Sequence, residues 1–303
     1  MKRRKTIHWG NLAFDAVNAL FMLFLVTATL YPFVNTLAVS LNESLDTVRG
    51  GIYLFPRVFT LRNYVQIFNT KGILTSTIIS VLRTVSGSLL CVGASIIIGY
   101  VLSRQNFVLR KILTRFFVLT MYFSGGLIPV FLTIRGLGLT NNFLVYILPG
   151  MVSGFTVIVM RSYIETLPEA FVESAHIDGA SEMVILLRII LPLCMPVVAT
   201  ITLFVAVWQW NAWFDTFLYN SSNQNLSTLQ YELQKVLQSV SQLAGGQTPD
   251  YGGLAAARGG ANKITPTSTR AAMTIVAVMP IILVYPFLQR YFVTGITLGG
   301  VKG

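Results

Sequence analysis

Six long apolar runs constrain this chain more than any other feature of its sequence. A helix that crosses a bilayer needs about 20 mostly apolar residues, and it must satisfy its own backbone polar groups because lipid offers them no partner. The runs are continuous rather than alternating, which favours helices over strands. The sequence therefore predicts an all-α membrane protein with six transmembrane helices, near 12–40, 73–103, 112–134, 143–163, 187–214 and 271–292.

Composition supports a membrane location. Hydrophobic residues make up 54% of the 303 residues and charged residues only 11%, whereas a soluble domain carries about 25% charged residues. The net charge of +11 does not indicate a nucleic-acid partner, because the basic residues flank apolar runs and membrane topology accounts for them. Cys91 and Cys194 lie inside apolar runs and are interpreted as core residues. His8 and His176 lack ligand spacing, so no metal is expected.

Basic residues also set the expected orientation. The basic stretch 1–5 and the apolar run after it resemble a signal peptide, but the run is too long and no cleavage site follows, so we expect an uncleaved first span. With the N-terminus inside, Lys and Arg are about twice as dense on cytoplasmic segments as on outer ones. We expect a cytoplasmic tail at 1–11, one transmembrane domain at 12–303 and both termini in the cytoplasm of a multi-pass cell-membrane protein. The long loop 215–270 then faces outward.

A short polar segment interrupts the apolar pattern between the fourth and fifth runs. Thr166 has the position of a helix cap and Glu169 that of its capping-box partner, which predicts a short helix running toward His176. On that helix Phe171, Val172 and Ala175 are expected to share one face, with Glu169, Glu173 and His176 on another. Gly179 then allows a sharp turn into a second helix that begins near Ala180. Such a polar hairpin at the cytoplasmic surface is typical of a docking element.

The residues of this segment resemble those of a known family. Glu173-Ser174-Ala175, then Gly179, then Ile189-Ile190-Leu191-Pro192 is similar to the loop signature of permease subunits of bacterial ABC importers, with Ser174 in place of the usual Ala. The form Ile177-Asp178-Gly179-Ala180-Ser181 resembles the carbohydrate branch of these binding-protein-dependent systems.

The resemblance implies a fold and a mechanism. The domain would be an ABC type-1 transmembrane domain with a cytoplasmic coupling helix between spans four and five, inside a coupling loop at 165–192. That helix would seat in a groove on a separate ATPase and transmit its closure to the spans by alternating access. The residues implied in this contact are Glu169, Glu173, Ser174, Ala175, Asp178, Gly179 and Ala180.

The resemblance also implies partners. They are a second, homologous permease, two ATP-binding cassette ATPases, an extracellular sugar-binding lipoprotein or periplasmic protein, and membrane lipid. The chain has no Gly-x-x-x-x-Gly-Lys-(Ser/Thr) phosphate loop, so ATP is expected on the ATPases, with no cofactor here and no enzyme activity of its own.

The substrate path is predicted from polar and aromatic residues near the outer ends of spans. Sugars are held by aromatic faces and by amide or carboxylate groups, which Trp208, Gln209, Asn211 and Asp215 offer. Trp210 and Trp213 are interpreted instead as part of an interfacial aromatic belt. Tyr122 in span three is a second candidate for the lining. Arg83, about ten residues into span two, either has a role inside the membrane or reaches outward to water.

Other functions remain alternatives. The chain is interpreted as a permease for an oligosaccharide, and an ABC permease for a non-sugar solute is the nearest alternative. A stand-alone secondary transporter would usually show internal repeats or several charges within spans. An intramembrane enzyme would need a catalytic constellation, which the spans do not display.

Overall fold

The computed structural model describes residues 9–70, 72–244 and 265–300, and these residues are helical apart from turns and one isolated antiparallel bridge between Asn42 and Phe59. The α-helices are α1 Trp9–Ser40, α2 Ser44–Thr47, α3 Arg62–Asn69, α4 Ile73–Ser103, α5 Arg110–Tyr122, α6 Leu127–Gly136, α7 Gly154–Ile164, α8 Ala170–Ile177, α9 Glu182–Ile185, α10 Leu191–Leu193, α11 Met195–Asn211, α12 Phe214–Tyr219, α13 Leu229–Ala244 and α14 Pro266–Gly300. Turns of 3-10 helix lie at Phe143–Tyr146, Leu148–Gly150 and Gln224–Leu226, and a π-helical turn at Leu186–Ile190.

Three stretches are each long and apolar enough to cross a membrane unaided: Phe14–Ser40, Ile73–Ser103 and Pro266–Pro286. Three further helix pairs pass the same test only together and are bent, by 115° between α5 and α6, 45° between Gly150 and Gly154, and 81° between α10 and α11. The prediction of an all-helical membrane protein is confirmed. The described residues therefore provide three clear spans, or up to six when each bent pair is counted as one.

The bend between α10 and α11 has a local cause. Pro192 lies in α10 and Pro196 in the first turn of α11, on either side of the break at Cys194. Proline has no backbone N–H and its ring clashes with the preceding turn, so a helix ends or bends there. The expected continuous fifth span, near 187–214, is consequently two helices at an angle.

The chain divides into two compact units. One comprises residues 1–70 and 235–277, the other residues 71–234 and 278–303. In the first unit, the segment after α1 is held by buried amides: Asn63 Nδ2 donates to the carbonyls of Ser40 and Asn42 at 2.8 and 2.9 Å. Asp46 accepts hydrogen bonds from Asn42 Nδ2 and Arg57 Nε, each at 3.0 Å. The bond from Asn42 above all lowers the pKa of Asp46.

The second unit is built around α4, which packs along α7 and α11. Its apolar core joins these three helices to the segment from α8 to α11. Buried hydroxyls need hydrogen-bond partners, and inside this packing the Ser95 and Thr156 hydroxyl oxygens pair with each other, 2.7 Å apart. The buried core residues are Cys91, Val92, Tyr100, Met160, Ile164, Val172, Ala175, Ile185, Leu186, Ile190, Cys194, Val197, Ile201 and Val205.

Candidate functional site

A helical hairpin between α7 and α11 carries the motif residues. We call α8, the turn at residues 178–181 and α9 the α8–α9 hairpin. Gly179 has φ +78°, a left-handed conformation that costs other L-residues about 1–2 kcal/mol. The Gly179 N–H donates to the His176 carbonyl at 3.0 Å and the Ala180 N–H to the Ala175 carbonyl at 2.9 Å. This pair of bonds is a Schellman motif, which ends α8 sharply and turns the chain into α9.

One face of α8 packs inward and the other is open. Val172 and Ala175 are each 6% exposed and belong to the core of the second unit. Ala175 therefore packs against the bundle, and Ala180 is partly buried beside it. The exposed motif residues are Glu169, Glu173, Ser174, Asp178 and Gly179. Phe171, expected on one face with Val172 and Ala175, lies one turn before Ala175 but is 45% exposed, so it stands at the edge of the packed side.

The predicted capping box is also wrong. The Thr166 hydroxyl donates to the Tyr163 carbonyl at 2.7 Å, so it satisfies the end of α7 instead of the start of α8. Glu169 takes the N-cap position with helical backbone angles and makes no side-chain cap bond. The helix still begins where the pattern placed it, within a few residues, because Pro168 precedes it and the buried face of Val172 and Ala175 holds it.

Two carboxylates, one just after the turn of the hairpin and one just before α8, bond to neighbouring helices. Glu182, the first residue of α9, accepts a hydrogen bond from the Tyr100 hydroxyl at the end of α4 and lies 3.3 Å from His176 Nε2. Glu165, just before the hairpin, pairs with Arg110 at 2.5 Å and with Arg161 at 3.0 Å. The hairpin and the chain before it are thus bonded to α4, α5 and α7, while one face of α8 stays exposed.

The open face combines apolar and acidic groups. Ile177 is 86% exposed and Phe171 45%, and Glu169 and Glu173 are exposed as well. A partly apolar, partly charged patch on a rigid base is suited to binding a protein groove with basic groups at its rim. The opposite side of α8 belongs to the core that α4, α7 and α11 form.

Several of the candidate path residues form a second cluster around Arg83. Arg83 is 1% exposed, so the alternative in which it reaches outward to water is wrong. Its guanidinium bonds to Gln209 Oε1 at 3.0 and 3.3 Å, to the Ala212 carbonyl at 3.0 Å, and to both Asp215 carboxylate oxygens at 3.1 and 2.5 Å. It also lies 4.4 Å from the centre of the Tyr146 ring. We call Arg83, Tyr146, Gln209 and Asp215 the Arg83 cluster.

The remaining predicted path residues lie on open surface. Trp208 is 59% exposed and Tyr122 79%. Asn211 is exposed as well, and its side-chain Oδ1 accepts a hydrogen bond from Gln230 Nε2 at 3.1 Å. The structure therefore separates the candidates into an open set and the buried Arg83 cluster. Trp210 is 5% exposed and so does not belong to an interfacial belt.

Sequence reasoning missed two members of this arrangement. Tyr146 sits in an apolar run, where an aromatic residue attracts no notice, yet its hydroxyl donates to the Leu226 carbonyl at 2.6 Å. Gly87 is the other: a Cβ there would collide with the Gln209 side chain. The spacing from Arg83 to Gly87 puts both on one face of α4, but only the fold shows that Gln209 packs between them.

Known proteins resemble this chain along nearly its whole length. The polygalacturonan/rhamnogalacturonan transport system permease protein YtcP of Bacillus subtilis is 34% identical over 294 residues, which are 97% of this chain and 99% of that protein. The arabinooligosaccharides transport system permease protein AraQ of Halalkalibacterium halodurans is 30% identical over 289 residues, 92% of this chain and 94% of that protein.

A solved structure has the same fold. One chain of a bacterial ABC transporter involved in the import of the acidic polysaccharide alginate matches with a TM-score of 0.83 and 27% identity, over 95% of this chain and 100% of that chain. The family described as the binding-protein-dependent transport system inner membrane component matches residues 92–298. The resemblance seen in the loop residues is confirmed: this chain belongs to the family of binding-protein-dependent transport system inner membrane components.

Proposed function

We propose that this chain is the membrane-spanning permease subunit of an ATP-driven importer, and that it translocates an oligosaccharide delivered by an extracytoplasmic binding protein. Family membership supports the permease role. The oligosaccharide assignment is supported by relatives whose names refer to polygalacturonan and arabino-oligosaccharides, and by the alginate importer that shares the fold. The named solutes are of different kinds, so the proposal is made for the oligosaccharide class as a whole.

The observation that carries the proposal is the α8–α9 hairpin. α8 is the coupling helix, and its open face, with Glu169, Glu173, Ser174 and Asp178, docks on an ATPase subunit. Ala175 and Ala180 do not contact the ATPase in this proposal, because one is buried and the other partly so. They hold α8 against the core, so that movement of the ATPase is passed on to the spans.

The topology follows from the basic residues. Each bent helix pair crosses the membrane once, which gives six spans with both termini in the cytoplasm and the α8–α9 hairpin on the cytoplasmic side. The segment 41–70 and the loop 215–270 then face outward. Most of the expected tail at 1–11 lies outside the described residues. The middle of the loop, 245–264, lies entirely outside them.

The open path residues are proposed to meet the sugar. Trp208 and Tyr122 offer aromatic faces, and Asn211 an amide, on surface that this chain leaves uncovered. The chain between α5 and α6, at residues 123–126, is not helical. Unwound backbone is tolerated in a membrane only where it is buried in protein or lines a wet cavity. We assign that cover to a second, homologous permease, with the path between the two.

The energy source lies on other subunits. Because the chain lacks a phosphate loop, two ATPase subunits supply hydrolysis, and no cofactor is assigned here. A stand-alone transporter would need its own ion or solute coupling, and the exposed docking face of α8 favours the assembled importer.

The assembled complex tests both parts of the proposal. The permease is copurified with its partners, reconstituted in nanodiscs, and its ATP hydrolysis is measured with binding protein loaded with neutral oligosaccharides, uronate oligosaccharides, amino acids or polyamines. The proposal expects stimulation by one oligosaccharide class and none by the amines. Stimulation by an amino acid or polyamine alone would replace the sugar assignment, and transport without any ATPase partner would contradict the importer.

A further inference from the structure

Every donor of the Arg83 guanidinium is already used inside the protein. A guanidinium has five N–H groups, and Arg83 makes five hydrogen bonds, to Gln209, Ala212 and Asp215. At 1% exposure, it has no donor to offer a passing sugar. A substrate contact by Arg83 would require this set of bonds to be broken.

The acceptors share one location, where the chain leaves α11. Ala212 follows the last residue of α11, so its carbonyl is among those that a helix end leaves without an internal partner. The C-terminal end of a helix also carries partial negative charge, which a cation offsets. Asp215 lies in the first turn of α12, and its Oδ1 accepts from the Thr216 N–H at 2.8 Å as well as from Arg83. Arg83 therefore joins the end of α11 to the start of α12.

The segment that Arg83 holds contributes Trp213, Phe214 and Phe217 to an aromatic cluster, which Tyr231 on α13 completes. The Trp213 ring lies 5.7 Å from Phe214 and 6.4 Å from Phe217, and Phe217 lies 6.3 Å from Tyr231. Phe214 and Phe217 are 44% and 51% exposed. The exit turn at residues 212–215 sets the direction in which these rings point.

Two further contacts connect α4 to the Arg83 cluster and to the segment that Arg83 holds. Gly87 leaves room for the Gln209 side chain, which a Cβ would displace, and Gln209 Nε2 donates to the Tyr146 carbonyl at 3.3 Å. Ser80, one turn before Arg83, accepts from the Leu229 N–H at 2.8 Å. Both ends of the segment 212–229 are thus bonded to α4 within one turn of each other.

We propose that Arg83 is a positioning residue: paired with Asp215, it fixes the exit turn of α11 and thereby the exposed aromatic rings of Phe214 and Phe217 on α12. Its effect on transport rests on the proposed function, because only an oligosaccharide path gives the rings a solute to meet. Its effect on the position of the rings does not depend on that function. The Arg83–Asp215 pair is also neutral overall, so the turn presents no net charge to the solute.

The test measures ring position and uptake separately. Cys91 and Cys194 are replaced by Ala, Phe217→Cys is introduced, and the rate of its modification by a membrane-impermeant thiol reagent is followed in vesicles that hold the full complex. The reporter is combined with Arg83→Lys, Arg83→Gln, or Arg83→Gln with Asp215→Asn. Arg135→Gln, which removes an exposed arginine at the end of α6, is the matched control.

Lysine keeps the charge but not the fork that reaches three acceptors. We expect Arg83→Lys and the neutral double variant to change the modification rate at Phe217→Cys about tenfold or more. The same variants with the native Phe217 should show a raised KM for uptake. A tenfold change in rate corresponds to about 1.4 kcal/mol in the free-energy difference between accessible and shielded positions of the side chain at residue 217. Arg135→Gln should change neither. The rates are compared per amount of inserted protein, and the double variant, which leaves no unpaired charge, covers the case in which Arg83→Gln fails to fold.

Opposite results would overturn the proposal. If the neutral double variant has the modification rate and the KM of the protein with native Arg83 and Asp215, the pair contributes stability only and does not position the rings. A wild-type rate in Arg83→Lys would show that the fork geometry is not needed. If the reporter at Phe217 responds as expected while no oligosaccharide is taken up even by the parent chain, the solute assignment fails and the positioning role stands.

Discussion

Gly179 is the residue whose chemistry the turn demands most directly. Its φ of +78° strains any side chain with a Cβ, although nothing lies within 4 Å of that position, so the cost is purely conformational. Asn adopts this region far more readily than a β-branched residue. We expect Gly179→Val to abolish uptake with the protein still inserted, and Gly179→Asn to keep most of it.

The two Gly179 variants are compared by uptake rate and by ATP hydrolysis of the assembled complex. Loss of uptake in Gly179→Val with hydrolysis remaining would show uncoupling through the turn. Equal uptake by both variants would mean that the left-handed turn has no part in transport.

The sequence was informative about some residues and not others, for physical reasons. A glycine after a short helix predicts a left-handed turn locally, so Gly179 was readable. The partner of Arg83 lies 132 residues along the chain, and no local pattern announces such a contact. Thr166 had a cap spacing, but the Tyr163 carbonyl lay within reach of its hydroxyl and took the bond.

At the scale of the element, α8 has a buried face that packs on the core and an exposed face that we propose docks on the ATPase. Ala175 is 6% exposed against the core, while its neighbour Ser174 is exposed. Overfilling a packed site costs about 1–3 kcal/mol, whereas a surface substitution usually changes stability by about 0.5 kcal/mol or less. We expect Ala175→Leu to lower the thermal midpoint of the purified permease and Ser174→Leu to leave it unchanged.

The same pair of variants tests the open face. Ser174→Leu should weaken copurification of the ATPase without lowering stability, because it alters the docking surface alone. A stable Ala175→Leu protein, or a Ser174→Leu protein that unfolds early, would contradict the assignment of the two faces.

The segment after α1 gives a pH prediction. The pKa of Asp46 is lowered in the folded protein, first by the bond from Asn42, so the ionised carboxylate stabilises this segment at neutral pH. That contribution starts to fall below the ordinary Asp value of about 3.9 and is lost below the folded pKa. A spin label at Val48 in nanodiscs should become more mobile as the pH falls through this range.

Asp46→Asn provides the comparison for that experiment. It removes the charge at every pH, so its label should be mobile already at pH 7 and change little on acidification. A label whose mobility follows pH equally in both proteins would show that another group is responsible.

The sequence predicts the bounds of a helix correctly where the apolar run forms one straight helix. The second run, expected near 73–103, forms α4 at Ile73–Ser103. The fifth, expected near 187–214, begins as α9 at Glu182 and bends by 81° at Cys194. Pro192 and Pro196 can be read from the sequence and indicate a bend. The direction of the bend cannot, because it depends on the helices that this segment packs against.

At the scale of the whole molecule, topology is the first prediction. Single cysteines at Ile177 and Val48, which are 86% and 71% exposed, are placed in a chain with Cys91→Ala and Cys194→Ala. We expect an impermeant reagent to label Ile177→Cys only from the cytoplasmic face and Val48→Cys only from the outer face. Labelling of both from one face would contradict the six-span arrangement.

The central claim is that the open face of α8 receives force from an ATPase, and crosslinking tests it most directly. A photoreactive amino acid replaces Glu173 in cells that make the full complex, with the same amino acid at Val48 as the control, and the adducts are identified by mass spectrometry. The account predicts an ATPase adduct at 173, altered by ATP, and none at 48. If the complex is assembled and no ATPase adduct forms at residue 173, the claim is contradicted.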